Sequence, residues 1–137
     1  MAYLVTNSSD SNYYDLYIQS DTKLYANEDM GYWFDGFINC DGIFNLKILD
    51  TSNTVNMRRF FHQCGYNSTF FTIDVSHLDT SNVTNMMEMF YKMGHASTVV
   101  QVDVSNFDTS EVTTMYRMFK YTGRNNPDFV LDVSNFS

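Results

Sequence analysis

Residues 78–93 read LDTSNVTNMMEMFYKM, and the chain repeats this stretch in altered form on either side, as LDTSNTVNM from residue 49 and FDTSEVTTM from residue 107. Every marker recurs 29 residues on: Asp50, Asp79 and Asp108 at one point of the unit, Asp74, Asp103 and Asp132 at another. A unit this short cannot bury an apolar face alone and must stack on its neighbours. Self-similarity at a fixed period therefore specifies a solenoid.

Two patterns fill the unit. The first is Met86, Met89, Phe90 and Met93, which recurs as Met57, Phe60, Phe61 and Cys64, and as Met115, Met118, Phe119 and Thr122. Spacing of i, i+3, i+4 and i+7 predicts one buried face of an α-helix. The DTSN or DTSE before each row supplies turn and cap residues, and Asp50, Asp79 and Asp108 suit a helix start. Met30, Trp33, Phe34 and Phe37 form a fourth, degenerate copy displaced by 27 residues. These rows read as core.

The second pattern is alternation. Phe71, Ile73 and Val75, then Val100, Val102 and Val104, then Phe129, Leu131 and Val133 alternate with polar residues and predict strands buried on one side. In the first copy Phe44, Leu46 and Ile48 take the inward places. The expected fold class is α/β: a leucine-rich-repeat-like solenoid with a parallel β-sheet on one face and helices on the other. Gly65, Gly94 and Gly123 open the connecting loops, where a left-handed turn ends a helix.

Residues 1–26 are expected to cap the array, with the runs 13–18 and 22–26 pairing as a β-hairpin. The solenoid occupies 27–137, with units at 27–48, 49–77, 78–106 and 107–135 and the start of a further one at 136–137. With no evident cap after it, the last unit is expected to expose Phe129, Leu131 and Met118, and to favour self-association.

Composition narrows the function. Aromatics reach 17%, with 12 Phe and 10 Tyr beside nine Met. The net charge is −8, with eight Lys or Arg along the chain, which argues against nucleic-acid or anionic-membrane binding. No run approaches the roughly 20 apolar residues that span a bilayer, so no membrane insertion is expected. The N-terminus lacks the form of a signal peptide. Cys40 and Cys64 have no metal-ligand spacing and read as buried thiols, although spacing leaves a disulfide open.

With the units laid out, residues 78–93 and the VDVSNFDTS of 102–110 resemble the BspA-like leucine-rich-repeat family, the bacterial surface protein 26-residue repeat of DUF285 type. KLYANEDMGYWF at 23–34 is similar to the segment that leads into such arrays. Three extra residues per unit mark a longer variant. The resemblance implies surface display or secretion, adhesion and protein binding, and carriage of many such arrays by prophages. It brings no catalytic residues.

The residues themselves offer no chemistry. His62, His77 and His95 lie at different points of the unit and read as surface residues; no nucleophile elbow, phosphate loop or metal motif is present. Catalytic, cofactor and metal sites are expected to be absent. Asp74, Asp103 and Asp132 project outward from adjacent strands about 4.8 Å apart. They read as a hydrogen-bonded ladder, with a calcium or partner site as the alternative. The N-x-S/T triplets at Asn7, Asn67, Asn82 and Asn135 read as turns. The expected function is a non-enzymatic repeat module for adhesion or binding of a protein or glycan, presenting Thr72, Asp74, Gln101, Asp103, Val130 and Asp132. The rival is a phage- or prophage-encoded accessory protein: a virion component, or an acidic inhibitor of a host protein.

Overall fold

Residues 2–6, 14–18 and 20–137 are described in a computed structural model of the chain. The apolar rows are buried where the repeat puts them. Met57, Phe60, Phe61 and Cys64, and again Met86, Met89, Phe90 and Met93, are fully enclosed. The backbone that carries them is not helical. Among the described residues there is no α-helix, and the one helical segment is a single 3-10 turn, Leu46–Ile48. The α/β expectation, with helices covering one face of a sheet, is therefore wrong.

Each row is instead a ribbon of overlapping turns. Phe60 N–H donates to the Met57 carbonyl, His62 to Arg59 and Cys64 to Phe61, each at 3.2 Å. A new turn thus begins at every second residue. The alternate N–H groups point along the stack. Met57 donates to Asn85 at 2.9 Å, Arg59 to Met87 at 3.0 Å, Phe61 to Met89 at 2.9 Å and Gln63 to Tyr91 at 2.9 Å. Met86, Glu88, Phe90 and Lys92 repeat this onto Thr114, Tyr116, Met118 and Lys120. A helix would use the same donors on carbonyls four residues back. Here the neighbouring unit takes them, so the ribbon depends on being stacked.

This path needs left-handed backbone at Arg59, Gln63, Glu88, Lys92, Arg117 and Tyr121, with φ between 55° and 65°. Such a conformation costs a residue with a Cβ about 1–2 kcal/mol. Burial between units offsets it. Phe34, Phe61, Phe90 and Phe119 form a continuous stack, with ring centroids 5.6, 5.5 and 5.3 Å apart and planes within 16°. The same left-handed turn occurs at Gly94 (φ 55°), where an added Cβ would lie 2.6 Å from a Val100 methyl. Space as well as conformation demands glycine there, although no helix ends at it.

The degenerate first unit follows the 27-residue offset in the ribbon, where Asp29 bridges Asn56. Met30 and Phe34 are buried, but Trp33 and Phe37 are exposed, unlike their counterparts.

The strands are shorter than the alternation suggests. β1 (Ala2–Thr6) pairs antiparallel with β2 (Tyr14–Ile18). β3 (Leu24–Tyr25) instead joins β5 (Leu49–Asp50) in parallel, with β4 (Gly42–Ile43) between them in sequence. The expected pairing of 13–18 with 22–26 does not form, and Tyr13 lies outside the described residues. β4, β6 (Phe70–Ile73) and β7 (Val99–Gln101) make a three-stranded parallel sheet. Its register puts Ile43 opposite Ile73, so Phe44 is displaced outward and is 75% exposed. Phe129, Leu131 and Val133 form no strand.

Polar ladders stitch the stack beside the ribbon. Buried Thr51 Oγ donates to the Asp79 carbonyl at 2.9 Å and accepts from Asp79 N–H at 2.8 Å. Thr80 repeats both bonds to Asp108. Asp50, Asp79 and Asp108 cap no helix; each accepts from the N–H of the serine two residues on. Asn82 donates to the Ser52 carbonyl and Asn135 to the Val104 carbonyl, each in the preceding unit, and Asn67 donates to Asn39, so these three triplets have structural roles. Asn7 lies outside the described residues. At the last unit Met118 is buried, contrary to expectation, while Phe129 and Leu131 are half-buried.

Candidate functional site

The sheet ends in short strands whose outward residues are not used by the fold, and there an open groove of about 690 Å³ lies across β6, β7 and the loop after residue 123. Asp74, Gln101, Asp103 and Val130 line it, which brings together four of the six residues expected to form the binding row. Thr72 is half-buried, opposite Gln101 in the register, and Asp132 is exposed outside the lining. Thr98, Val99, Asn126 and Asp128 also line the wall. Asp128 stands where earlier units carry Phe70 and Val99, so an offset of 29 would have placed it beside the row.

The carboxylates are held locally. Asp74 accepts from the Ser76 hydroxyl at 2.6 Å and the Ser76 N–H at 3.0 Å. Ser105 N–H and Ser134 N–H donate to Asp103 and Asp132, each at 2.9 Å. These donors hold all three carboxyls below the usual aspartate range, so the row stays ionised. Asp132 and Asp74 oppose the effect at Asp103, which places the three carboxylates within reach of one another's fields. Each Asp is bonded within its own unit, and none bridges to the next. His77 Nε2 lies 3.7 Å from Asp74, and a smaller recess of about 220 Å³ joins them to Lys47. No lysine or arginine lines the main groove.

A family model described as "Mycoplasma protein of unknown function, DUF285" matches residues 27–136, which is the whole stack. The chain belongs to the DUF285 family. Comparison with curated proteins and with solved structures finds no match. The DUF285 region therefore contains both the ribbon and the groove, and the hairpin of β1 and β2 precedes it.

Other titratable groups of this DUF285 chain sit inside the ribbon. His62 is buried, not on the surface as its unit position suggested. Its Nδ1 lies 2.7 Å from Asp35, and its ring stacks on Tyr91 at 5.2 Å. Arg59 Nε lies 2.7 Å from buried Glu88, and Arg117 approaches the same carboxylate at 3.9 Å. Burial works against the Glu88 charge, but Arg59, His62 and Arg117 together outweigh it and hold the carboxyl below its ordinary value. Cys40 and Cys64 are free. Contact with Cys40 and burial raise the Cys64 thiol, which donates to the Phe34 carbonyl at 2.8 Å. Among the described residues no three His, Cys, Asp or Glu side chains are placed to hold a metal ion, and no helix is long and apolar enough to cross a membrane.

Proposed function

We propose that the chain is a non-enzymatic binding module whose groove takes a basic segment of a partner protein. The observation that carries this is the groove's composition: ionised Asp74 and Asp103 stand with Asp128 beside exposed Val99 and Val130, with no cation on the wall. An open, acidic, partly apolar surface favours an extended chain bearing Lys or Arg over a small substrate. Display at a cell surface and a role in adhesion, in a longer-period form of the family, fit such a module and are part of the same reading.

Oligolysine peptides supply the test. Replacing Asp74, Asp103 and Asp128 together by Asn should weaken their binding at least about tenfold at low salt, and the difference should shrink as salt screens the charges. The circular dichroism spectrum should not change. Undiminished binding would place the interaction elsewhere, and an unfolded triple variant would make the row structural.

A further inference from the structure

Stacking reorganises a charge distribution that looks dispersed in the sequence. Six of the eight Lys and Arg fall on the turn ribbons at 57–66, 86–95 and 115–124, where Glu88 is the one acidic residue. Arg59 and Arg117 face Glu88, and the Arg58 guanidinium lies 5.6 Å from the centre of the Tyr32 ring. Lys92, Lys120 and Arg124 form no ion pair with any described carboxylate. In a chain with 16 acidic residues, that leaves a local surplus of positive charge.

The three cations sit among tyrosines. Lys120 and Arg124 lie 4.9 and 5.0 Å from the Tyr121 ring centre, and Lys92 lies 5.3 and 5.7 Å from those of Tyr91 and Tyr66. Tyr91 and Tyr121 are 6.0 Å apart, and His95 bridges Tyr66 at 4.7 Å and Tyr121 at 6.5 Å. These contacts make one patch. Burial, then Arg124 and Lys92, lower the His95 pKa, as an unneutralised positive field would. None of these residues lines the acidic groove.

We infer that Lys92, His95, Lys120 and Arg124, set with Tyr66 and Tyr121, bind an acidic polysaccharide. The cations match carboxylate or sulfate groups repeated along a chain. The tyrosines offer flat apolar rings and hydroxyls, which suit the C–H face and polar rim of a sugar. An acidic peptide would need the charges alone. The inference is independent of the groove and its basic partner.

Calorimetry with the full chain tests it, using hyaluronan and chondroitin sulfate oligosaccharides against oligoglutamate and neutral dextran. At least one acidic polysaccharide should bind and dextran should not. Lys120→Gln with Arg124→Gln should weaken that binding roughly tenfold or more. Tyr121→Ala should weaken it about fivefold while leaving any oligoglutamate binding nearly unchanged. The His95 imidazole should titrate higher in the complex. All three substituted positions are exposed, so an unchanged melting temperature shows that each variant is folded. Binding of neither polysaccharide overturns the inference. So does oligoglutamate bound as tightly with Tyr121→Ala neutral, an outcome that assigns the patch to acidic peptides.

Discussion

The turn ribbon and the small sheet come from the same repeat, yet they obey it differently. Ribbon bonds connect all four units in one register, from Met30–Asn56 through Met57–Asn85 to Met86–Thr114. The sheet pairs two residues at β4, three between β6 and β7, and none in the last unit. Between units, a side chain must fit the copy above and the copy below, so Phe61 and Phe90 keep their character. At the sheet edge Phe70, Val99 and Asp128 are exposed and enclosed by no copy above and below, so they can differ. The ribbon should thus hold the stability, and the edge should be free to recognise a partner.

The sharpest way to break that contrast is Phe90→Ala. Phe90 lies fully buried between Phe61 and Phe119, and its truncation should cost about 3–5 kcal/mol in a denaturant melt. Exposed Val99→Ala should stay within about 0.5 kcal/mol. Comparable losses at both sites would erase the distinction between the regions.

Next in size is Glu88→Gln, which leaves Arg59 facing a neutral partner and should cost about 1–3 kcal/mol. Its sign with pH is definite. The folded carboxyl lies below the ordinary 4.5, so its contribution is complete above that value and is lost as pH falls through the lowered folded value. The variant should therefore match the native chain more closely in acid than at neutral pH. An equal gap at both would remove the ion pair from the account.

Thr80→Val sharpens the comparison within the stack. It removes both bonds to Asp108 while keeping the volume, and should cost about 1–2 kcal/mol by thermal melting. At the edge Asp103→Asn, whose carboxylate bonds only within its own unit, should leave the melting temperature unchanged. A clear drop there would mean that the edge also supports the stack.

Much of this was legible in the residues. The repeat spacing and the buried rows follow from self-similarity and apolar spacing. The helix did not, for a physical reason. Met86, Met89, Phe90 and Met93 are buried by a helix or by stacked turns alike, and only the destination of the alternate N–H groups separates the two. The left-handed positions that mark the turns include Arg59, Glu88 and Arg117, residue types that give no turn signal. His62 was misplaced because its partner, Asp35, lies in another unit. The groove was partly visible as an acidic row, but Asp128 joins it from a loop whose composition departs from the repeat. The basic patch was hidden altogether, since Lys92, Lys120 and Arg124 become neighbours only when units stack.

Hydrogen-bond scalar coupling at Phe90 tests the central claim most directly. The ribbon places its N–H 2.9 Å from the Met118 carbonyl, in the next unit. A helix would direct it to Met86, four residues back. Nuclear magnetic resonance on the labelled chain should show coupling between the Phe90 nitrogen and the Met118 carbonyl carbon, and coupling to Met86 instead would contradict the stacked ribbon of turns.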